Sequence, residues 1–352
     1  MLFKSKQLVG LDIGSTSVKI VGLKPGKKNE YELQHLGLEN LAPDTIVDGA
    51  IMAKLPVAEA INRIYNTQGI KTNNVATSIS GHSVIVKKIN LPAQSPEELS
   101  ESIMWEAEQY IPFDISDVNI DYEILKSVPG TGTIEVLLVA VKKEKISDHV
   151  SVINLAGKTP VLLDVDAFAL LRSYSYNYQP SGQSITALLN IGASLSNLCI
   201  VKGTELLFTR DISVGGNQYS DFIQKGLGIS FEDAEKVKRN QPLPGIEESE
   251  VQRIMSSVSE IIQLEIQKTF DFFKATTTTD RIDRMILSGG TSRVRGLSEH
   301  LSQKFEVPVE IFNAFKRVSY PPQKFDSSFI NEISPRVAIT VGLAIRGMEE
   351  KW

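Results

Sequence analysis

The chain has 352 residues, 42% of them hydrophobic and 22% charged, so it is long enough for two domains with separate cores. A formal net charge of -5 argues against nucleic acid as the main partner, and the single cysteine, Cys199, excludes a disulfide framework. Without an apolar run of membrane-spanning length or a signal-peptide pattern, the sequence predicts a cytoplasmic protein with no direct membrane insertion.

The first distinctive stretch covers residues 10–21, two apolar strands joined by a turn of glycine and hydroxyl residues. Glycine lets the backbone approach a ligand, and the hydroxyl residues offer donors to phosphate. Asp12 could hold magnesium or its waters against the phosphates, and Lys19 adds positive charge. An ordinary hairpin with a polar turn explains this stretch equally well. The turn residues are Gly14, Ser15, Thr16 and Ser17.

Residues 31–38 alternate as a third antiparallel strand, so the first domain is predicted to open as a three-stranded meander. A helical stripe around Ile61 then ends near Gly69. Between residues 78 and 162 the pattern changes, which indicates an α+β subdomain inserted in the first domain. Its predicted elements are the strands 84–92, 119–128 and 133–142 and the helices 96–111, which has a capping box at Ser95, and 145–155.

Asp166 follows the strand 161–165 and opens the next helical run. A carboxylate in that position can orient a water molecule, although a plain N-cap is the commoner role. The polar stretch 174–183 predicts the domain boundary, which gives a first domain of residues 1–180.

Residues 188–201 repeat the plan of the first hairpin, and two such hairpins imply two halves that face one ligand. The matching positions are Asn190, Gly192, Ala193 and Ser194. Gly215 and Gly216 precede a helix, where bare amides can bind an anion, although a tight turn is the common alternative.

Two further stretches carry candidate ligand contacts, each with a plain structural alternative. Glu235 and Lys238 lie on one face of a short helix, as many surface ion pairs do. Gly289 and Gly290 leave space for a flat ring on which Arg293 could stack, and a strand-to-helix turn would use the same glycines.

The second domain is predicted to span residues 181–334, with a long amphipathic helix at 247–274. The last helix, 335–352, should pack back on the first domain. Its small residues Ala338 and Gly342 predict close packing against the helix near residue 60.

In their order, the two hairpins, two connecting helices and the Gly289 stretch resemble the superfamily of actin, heat-shock chaperones and sugar kinases over nearly the whole chain. The resemblance implies an α/β, actin-like ATPase fold, in which two ribonuclease-H-like domains close on magnesium ATP. It assigns the phosphates to the hairpins and the Gly215 turn, the ribose to Glu235 and Lys238, and the adenine to Gly289, Gly290 and Arg293. Asp166 would be catalytic, and Asp12 and Asn190 would face the metal.

The insertion lies where FtsA and the PilM family carry theirs. The strings Trp105-Glu-Ala-Glu-Gln-Tyr-Ile-Pro-Phe113 and Leu188-Leu-Asn-Ile-Gly-Ala-Ser194 are similar to the PilM family. FtsA is expected to continue into an amphipathic membrane helix, whereas this sequence stops at Trp352. The resemblance implies an ATP-bound protein of type IV pilus assembly. It would be recruited to the inner membrane by the cytoplasmic N-terminal peptide of PilN, with pilus motor ATPases as further candidate partners.

We expect that peptide to add an extended segment in a groove between the insertion and the first domain. The candidate contacts are Val84, Val86, Ile89, Trp105, Ile111, Pro112 and Phe113.

Asn190 stands where actin-like ATPases usually carry aspartate, so one carboxylate for magnesium is missing. This predicts slow or absent hydrolysis with ATP binding retained, and the change Asn190→Asp is expected to raise hydrolysis. Two alternatives stay open: an FtsA-like cytoskeletal ATPase, and a small-molecule kinase, since the first hairpin also suits sugar kinases.

Overall fold

The computed structural model describes residues 7–27, 30–277 and 281–349. The first part of the chain forms β1 (Val9–Ile13), β2 (Ser17–Pro25), β3 (Tyr31–Asn40), β4 (Ile46–Val47), β5 (Ala50–Ile51), α1 (Lys54–Gln68), β6 (Asn74–Ile79), β7 (Val84–Pro92), α2 (Pro96–Glu108), β8 (Val118–Val128), β9 (Thr133–Lys142), α3 (Lys143–Leu155), β10 (Thr159–Val165) and α4 (Asp166–Tyr178). The remainder forms β11 (Ile185–Ile191), β12 (Ser196–Lys202), β13 (Glu205–Ile212), α5 (Gly216–Leu227), α6 (Phe231–Lys238), α7 (Glu248–Thr276), β14 (Arg284–Ser288), α8 (Leu297–Phe305), β15 (Val309–Ile311), α9 (Ser327–Ile333) and α10 (Ala338–Glu349).

Two five-stranded sheets repeat one topology. Their orders are β10-β6-β1-β2-β3 and β13-β12-β11-β14-β15. In each sheet, three strands form an antiparallel meander, a fourth strand pairs in parallel with the first, and a fifth pairs in parallel with the fourth. The predicted meander is therefore confirmed, and the hairpin that it contains recurs in the second half.

The insertion is a three-stranded sheet, β7-β9-β8, covered by α2. The predicted capping box is confirmed: the Ser95 hydroxyl accepts from the Glu98 amide, and the Glu98 carboxylate accepts from the Ser95 amide. Buried apolar side chains of α2 and the three strands form a core of their own. The insertion is thus held together by its own contacts.

Helix α3 was predicted to be part of the insertion, but it packs on the first half of the chain. Its Val152 and Ile153 are buried in one cluster with Ile61 and Ile64 of α1, so α3 belongs to the core of the first half. The Lys142 amide donates to the Ser83 carbonyl, which brings the ends of the remaining module together. We therefore propose that the insertion spans residues 84–142 rather than 78–162.

The chain returns to the first half before residue 334. Ser319 exchanges backbone hydrogen bonds with Tyr31 and Leu33 on the edge of β3, and Phe312 packs in the core shared with the first half. We propose that the second half ends after β15. The predicted domain boundary near residue 180 lies just after the end of α4. This helix continues to Tyr178, and its C-cap residue, Gln179, has a left-handed backbone conformation.

The last helix was expected to pack on the helix near residue 60, and this expectation is wrong. A Cβ atom on Gly342 would lie 1.8 Å from the Ala169 carbonyl oxygen, so α10 meets α4 backbone to backbone. The same helix also packs on β1, β2 and β6, as predicted for the first half. Residues 350–352 of the predicted helix lie outside the described residues.

None of the helices in the described ranges is long and apolar enough to cross a bilayer.

Because the two backbones touch, Gly342→Val should lower the free energy of unfolding by about 3 kcal/mol or more through overpacking. Thermal unfolding measures the loss. Gly182→Ala is the matched control, since among the described residues no atom lies within 4 Å of its added Cβ. Equal melting temperatures for the two variants would contradict the close contact between α4 and α10.

Candidate functional site

A cleft of about 1140 Å³ lies between the two halves, and both glycine hairpins face it. All of the predicted nucleotide-site residues except Gly215 line this cleft. They are Asp12, Gly14, Ser15, Thr16, Ser17, Lys19, Asp166, Asn190, Gly192, Ala193, Ser194, Gly216, Glu235, Lys238, Gly289, Gly290 and Arg293.

The first hairpin makes a tight turn in which the Gly14 amide donates to the Ser17 carbonyl. Asp12 and Lys19 are cross-strand partners, and the Lys19 ammonium donates to the Asp12 carboxylate at 2.8 Å. Lys19 therefore balances the charge of Asp12, and a phosphate entering this turn would have to share the ammonium with that carboxylate.

Asp166 begins α4 at the floor of the cleft and accepts from the Ser78 hydroxyl at 2.5 Å. Burial, and next the charge of Asp12, raise the pKa of Asp166 to about 6. A carboxylate at a strand end with a raised pKa can accept a proton near neutral pH, which suits a general base. The N-cap alternative does not hold, since Val165 is the N-cap and no side chain caps this helix end.

The second hairpin is held by its neighbours. The Gly192 carbonyl accepts from the Gly216 amide at 2.9 Å and from the Thr291 hydroxyl at 2.8 Å. The Gly216 amide is therefore not bare, contrary to the predicted anion site. A Cβ on Gly215 would lie 2.4 Å from the Ala193 carbonyl oxygen, so this glycine pair allows α5 to approach the hairpin closely.

Glu235 and Lys238 form an ion pair on α6, as their spacing predicted. The Ser220 hydroxyl donates to Glu235 and accepts from Lys238. Burial alone would raise the pKa of Glu235, but the charge and hydrogen bond of Lys238 outweigh it and the pKa is lowered. Burial lowers the pKa of Lys238 despite the Glu235 charge. The pair presents both donors and acceptors to the cleft, which suits a ribose.

Gly289 and Gly290 have different roles: the first is required by its backbone conformation, and the second leaves open space in the cleft. Gly289 has a φ of 84°, and its amide donates to the Pro335 carbonyl. A Cβ on Gly290 would meet no atom of the described residues within 4 Å, so this position opens on the cleft. Arg293 donates to the Asn331 carbonyl at 3.2 Å and lines the same end. The arrangement leaves space for a flat ring beside a cation.

Three charged residues at or beside the cleft were not predicted from the sequence. Lys145 of α3 donates to the Gly49 carbonyl, and burial lowers its pKa although Asp166 opposes the shift. Arg336 lines the cleft from the turn before α10, and burial lowers its pKa also. Asp211 of β13 reaches the base of the cleft through Asn197. Lys145 and Arg336 are distant from both hairpins in sequence, whereas Asp211 lies on the strand directly after the second hairpin; no local pattern marks any of the three.

The donor set at the cleft floor suits a magnesium ion held mainly by phosphates and water. Asp12 offers a carboxylate and Asn190 an amide oxygen. Within the described ranges no group of three or more His, Cys, Asp or Glu side chains is arranged to hold a metal ion. Magnesium commonly takes one or two protein oxygens beside substrate phosphates, so these two residues fit it.

The predicted peptide contacts separate into three groups. Ile89 and Ile111 are buried in the core of the insertion, and Val84 and Val86 pack against the core shared by the two halves. Ile89 and Ile111 are therefore core residues, whereas the half-buried Val84 and Val86 stay candidate peptide contacts. Trp105 is 77% exposed on α2, Pro112 is exposed, and Phe113 is half-buried under the Lys142 ammonium, 4.4 Å from its ring centre.

Relatives in several classes share this fold. FtsA from two strains of Staphylococcus epidermidis is 21% and 22% identical to the chain over 375 residues, with 94% of this chain and 79% of FtsA covered. EutJ from Carboxydothermus hydrogenoformans superimposes with a TM-score of 0.56, 16% identity and coverage of 96% and 88% of the two chains. For ADP-bound MreB5 of Spiroplasma citri the TM-score is 0.52, with 14% identity and coverage of 97% and 96%. The fold is that of the actin-like ATPases.

A PilM-PilN type IV pilus biogenesis complex is more similar. Its chain superimposes with a TM-score of 0.87 and 26% identity, covering 98% of this chain and 100% of that one. A family model described as type IV pilus assembly protein PilM matches residues 10–348, and the chain therefore belongs to the PilM family.

Proposed function

We propose that this chain is an ATP-binding protein of type IV pilus assembly that holds the cytoplasmic N-terminal peptide of a PilN-like inner-membrane protein. The observation that carries the proposal is the match to the PilM family over residues 10–348. The likeness to the PilM-PilN complex extends over nearly the whole chain and supports the same partner. An FtsA-like role has weaker support, because the FtsA relatives are only 21–22% identical. A sugar kinase role is supported only by the pattern of the first hairpin.

The cleft suits ATP in one orientation. The two glycine turns would bind the phosphates between them, the Glu235–Lys238 pair would bind the ribose, and Gly290 with Arg293 would receive the adenine. Magnesium bound with the nucleotide would neutralise phosphate charge, with Asp12 and Asn190 holding it or its waters. The residues around Gly192 are already tied by hydrogen bonds, so this side of the cleft is preorganised for the ligand.

Hydrolysis is expected to be slow. Asp166 would accept a proton from water, but position 190 supplies a neutral amide where a carboxylate would assist the metal. ATP would then act mainly as a bound ligand that holds the two halves together. This suits an assembly protein better than a metabolic enzyme.

The exposed end of the insertion is the best candidate surface for the peptide. Trp105 and Pro112 project from α2 and the turn after it, where they are not needed for the core. Binding a membrane protein's tail there would place the chain at the cytoplasmic face of the inner membrane. Pilus motor ATPases remain further candidate partners.

Gly290→Phe should weaken ATP binding strongly without unfolding the protein, because its side chain would occupy the open position proposed for the adenine. Isothermal titration with magnesium ATP measures the affinity, and we expect at least a tenfold loss, about 1.4 kcal/mol. Gly182→Phe, on an exposed loop, is the control. Parental affinity in Gly290→Phe would remove the adenine assignment.

Asp166→Asn should stabilise the ligand-free protein at neutral pH and abolish hydrolysis. The folded protein keeps the Asp166 proton up to a pKa of about 6, whereas the unfolded chain releases it near 3.8. The free energy of unfolding therefore falls as pH rises through this window and stays reduced above it. Melting curves at pH 5 and 7.5 test this: the variant should melt above the parent at pH 7.5, and the gap should narrow at pH 5.

The exposed cleft residue Asp221 provides the control for net charge, since Asp221→Asn should show no such gap. A gap of equal size at both pH values for Asp166→Asn would refute the raised pKa.

Trp105→Ala should weaken binding of a synthetic PilN-like N-terminal peptide about tenfold, because an exposed aromatic anchor is lost. Fluorescence anisotropy with a labelled peptide and the whole chain measures the affinity. Phe222→Ala removes an exposed aromatic side chain from the second half and should leave the affinity unchanged. If both variants bind the peptide like the parent, the peptide site lies elsewhere.

A further inference from the structure

Four polar side chains form a continuous hydrogen-bonded chain across the second sheet, which we call the relay. Asn197 Nδ2 donates to Asp211 Oδ1 at 2.8 Å, Asn190 Nδ2 donates to Asn197 Oδ1 at 3.0 Å, and Ser288 Oγ donates to Asn190 Oδ1 at 3.2 Å. Each pair lies directly opposite on neighbouring strands. Asn197 and Ser288 are buried, so the relay is a fixed part of the sheet.

The carboxylate at one end sets the direction of every bond in the relay. A carboxylate only accepts hydrogen bonds, so Asn197 must turn its NH₂ group to Asp211. Its carbonyl oxygen then faces Asn190, which must turn its own NH₂ group towards Asn197. The Asn190 carbonyl oxygen is left for the Ser288 hydroxyl, and its second lone pair is free for a ligand in the cleft.

The first half of the chain offers a comparison, because Asp12 occupies the position there that Asn190 occupies in the second half. Asp12 and Lys19 are seven residues apart and paired across the first hairpin, as Asn190 and Asn197 are across the second. On the third strand, Lys19 lies opposite Leu38, whereas Asn197 lies opposite Asp211. In the first half, the acid Asp12 is thus found with a neutral residue, Leu38, on the third strand. In the second half, the amide Asn190 is found with an acid, Asp211, on the third strand.

From this geometry we propose that Asp211 is a positioning residue that orients Asn190 in the nucleotide cleft and makes an amide at position 190 obligatory. With carboxylates at both 190 and 211, Asn197 would have to donate from both of its ends. One end is a carbonyl oxygen, which would face a carboxylate at about 3 Å and repel it. The amide at 190 and the acid at 211 are a matched pair that can be exchanged only together.

Asp211 also connects the relay to the first half. Its second oxygen accepts from the Gly81 amide at 2.5 Å, and the neighbouring His82 contacts the Ser213 hydroxyl at 2.6 Å. Gly81 and His82 lie on the loop between β6 and β7, which leads into the insertion. Asp211 thus orients a cleft residue and fixes that loop with the same carboxylate.

A double-mutant cycle tests the matched pair on the ligand-free protein. Asn190→Asp should lower the melting temperature, and Asp211→Asn should lower it less, because an amide at 211 can still accept from Gly81. The double variant reverses the bond between positions 190 and 197 and the bond between 197 and 211, while the Ser288 hydroxyl still donates to position 190. It should recover at least half of the loss caused by Asn190→Asp. Combining Asn190→Asp with Asp221→Asn makes the same change in charge at the cleft and should recover nothing.

Additive losses in the double variant would overturn the proposal, and so would equal recovery with Asp221→Asn. If Asn190→Asp does not fold, folding of the double variant is the expected rescue, and its failure to fold refutes the matched pair.

The role in ligand binding rests on the proposed function, and a magnesium titration of ATP binding tests it separately. The double variant places an oriented carboxylate at position 190 and should need several-fold less magnesium for half-maximal ATP binding than the parent. An unchanged magnesium requirement would show that the relay does not position a magnesium-facing group. If the parent binds no ATP, the proposed function fails, while the melting cycle still decides whether Asp211 and Asn190 are matched.

Discussion

The backbone contact between α4 and α10 is the constraint on which the rest of the structure depends. The two helices cross at Gly342 and Ala169, with no room for a side chain between them. Each helix begins at the cleft: α4 starts with Asp166, and the turn before α10 carries Pro335, whose carbonyl accepts from Gly289. A small change in the crossing would therefore shift the Asp166 carboxylate and the proposed adenine site together.

Local sequence patterns predicted the elements well, because the residues that define them are close in sequence. The glycine and hydroxyl hairpins, the capping box at Ser95 and the stripe of α7 all depend on neighbours within a few residues. The duplicated hairpin also predicted correctly that two halves share a cleft. This part of the site could be predicted because each half of the chain contains the same glycine hairpin, which is recognisable from residues close in sequence.

What the sequence did not reveal depends on contacts between distant residues. Gly342 indicated a close approach, but nothing in its helix says which backbone it meets, and α4 rather than α1 is the partner. Lys145 lies on a predicted helix with no local sign that it enters the cleft. The narrower insertion proposed above was not apparent from the sequence, because α3 follows β9 directly and only its packing against α1 assigns it to the first half.

From the sequence alone, Asn190 indicates that a carboxylate for magnesium has been lost. Its hydrogen bonds in the structure lead to a different interpretation. The amide donates to Asn197, which donates in turn to Asp211, so the negative charge of the second hairpin has not vanished but lies two strands away. Adding a carboxylate at 190 alone would oppose this arrangement, and the hydrolysis gain expected from that change no longer follows from the structure. The slow hydrolysis proposed above would then follow from a polar network that fixes an amide, and not a carboxylate, at position 190.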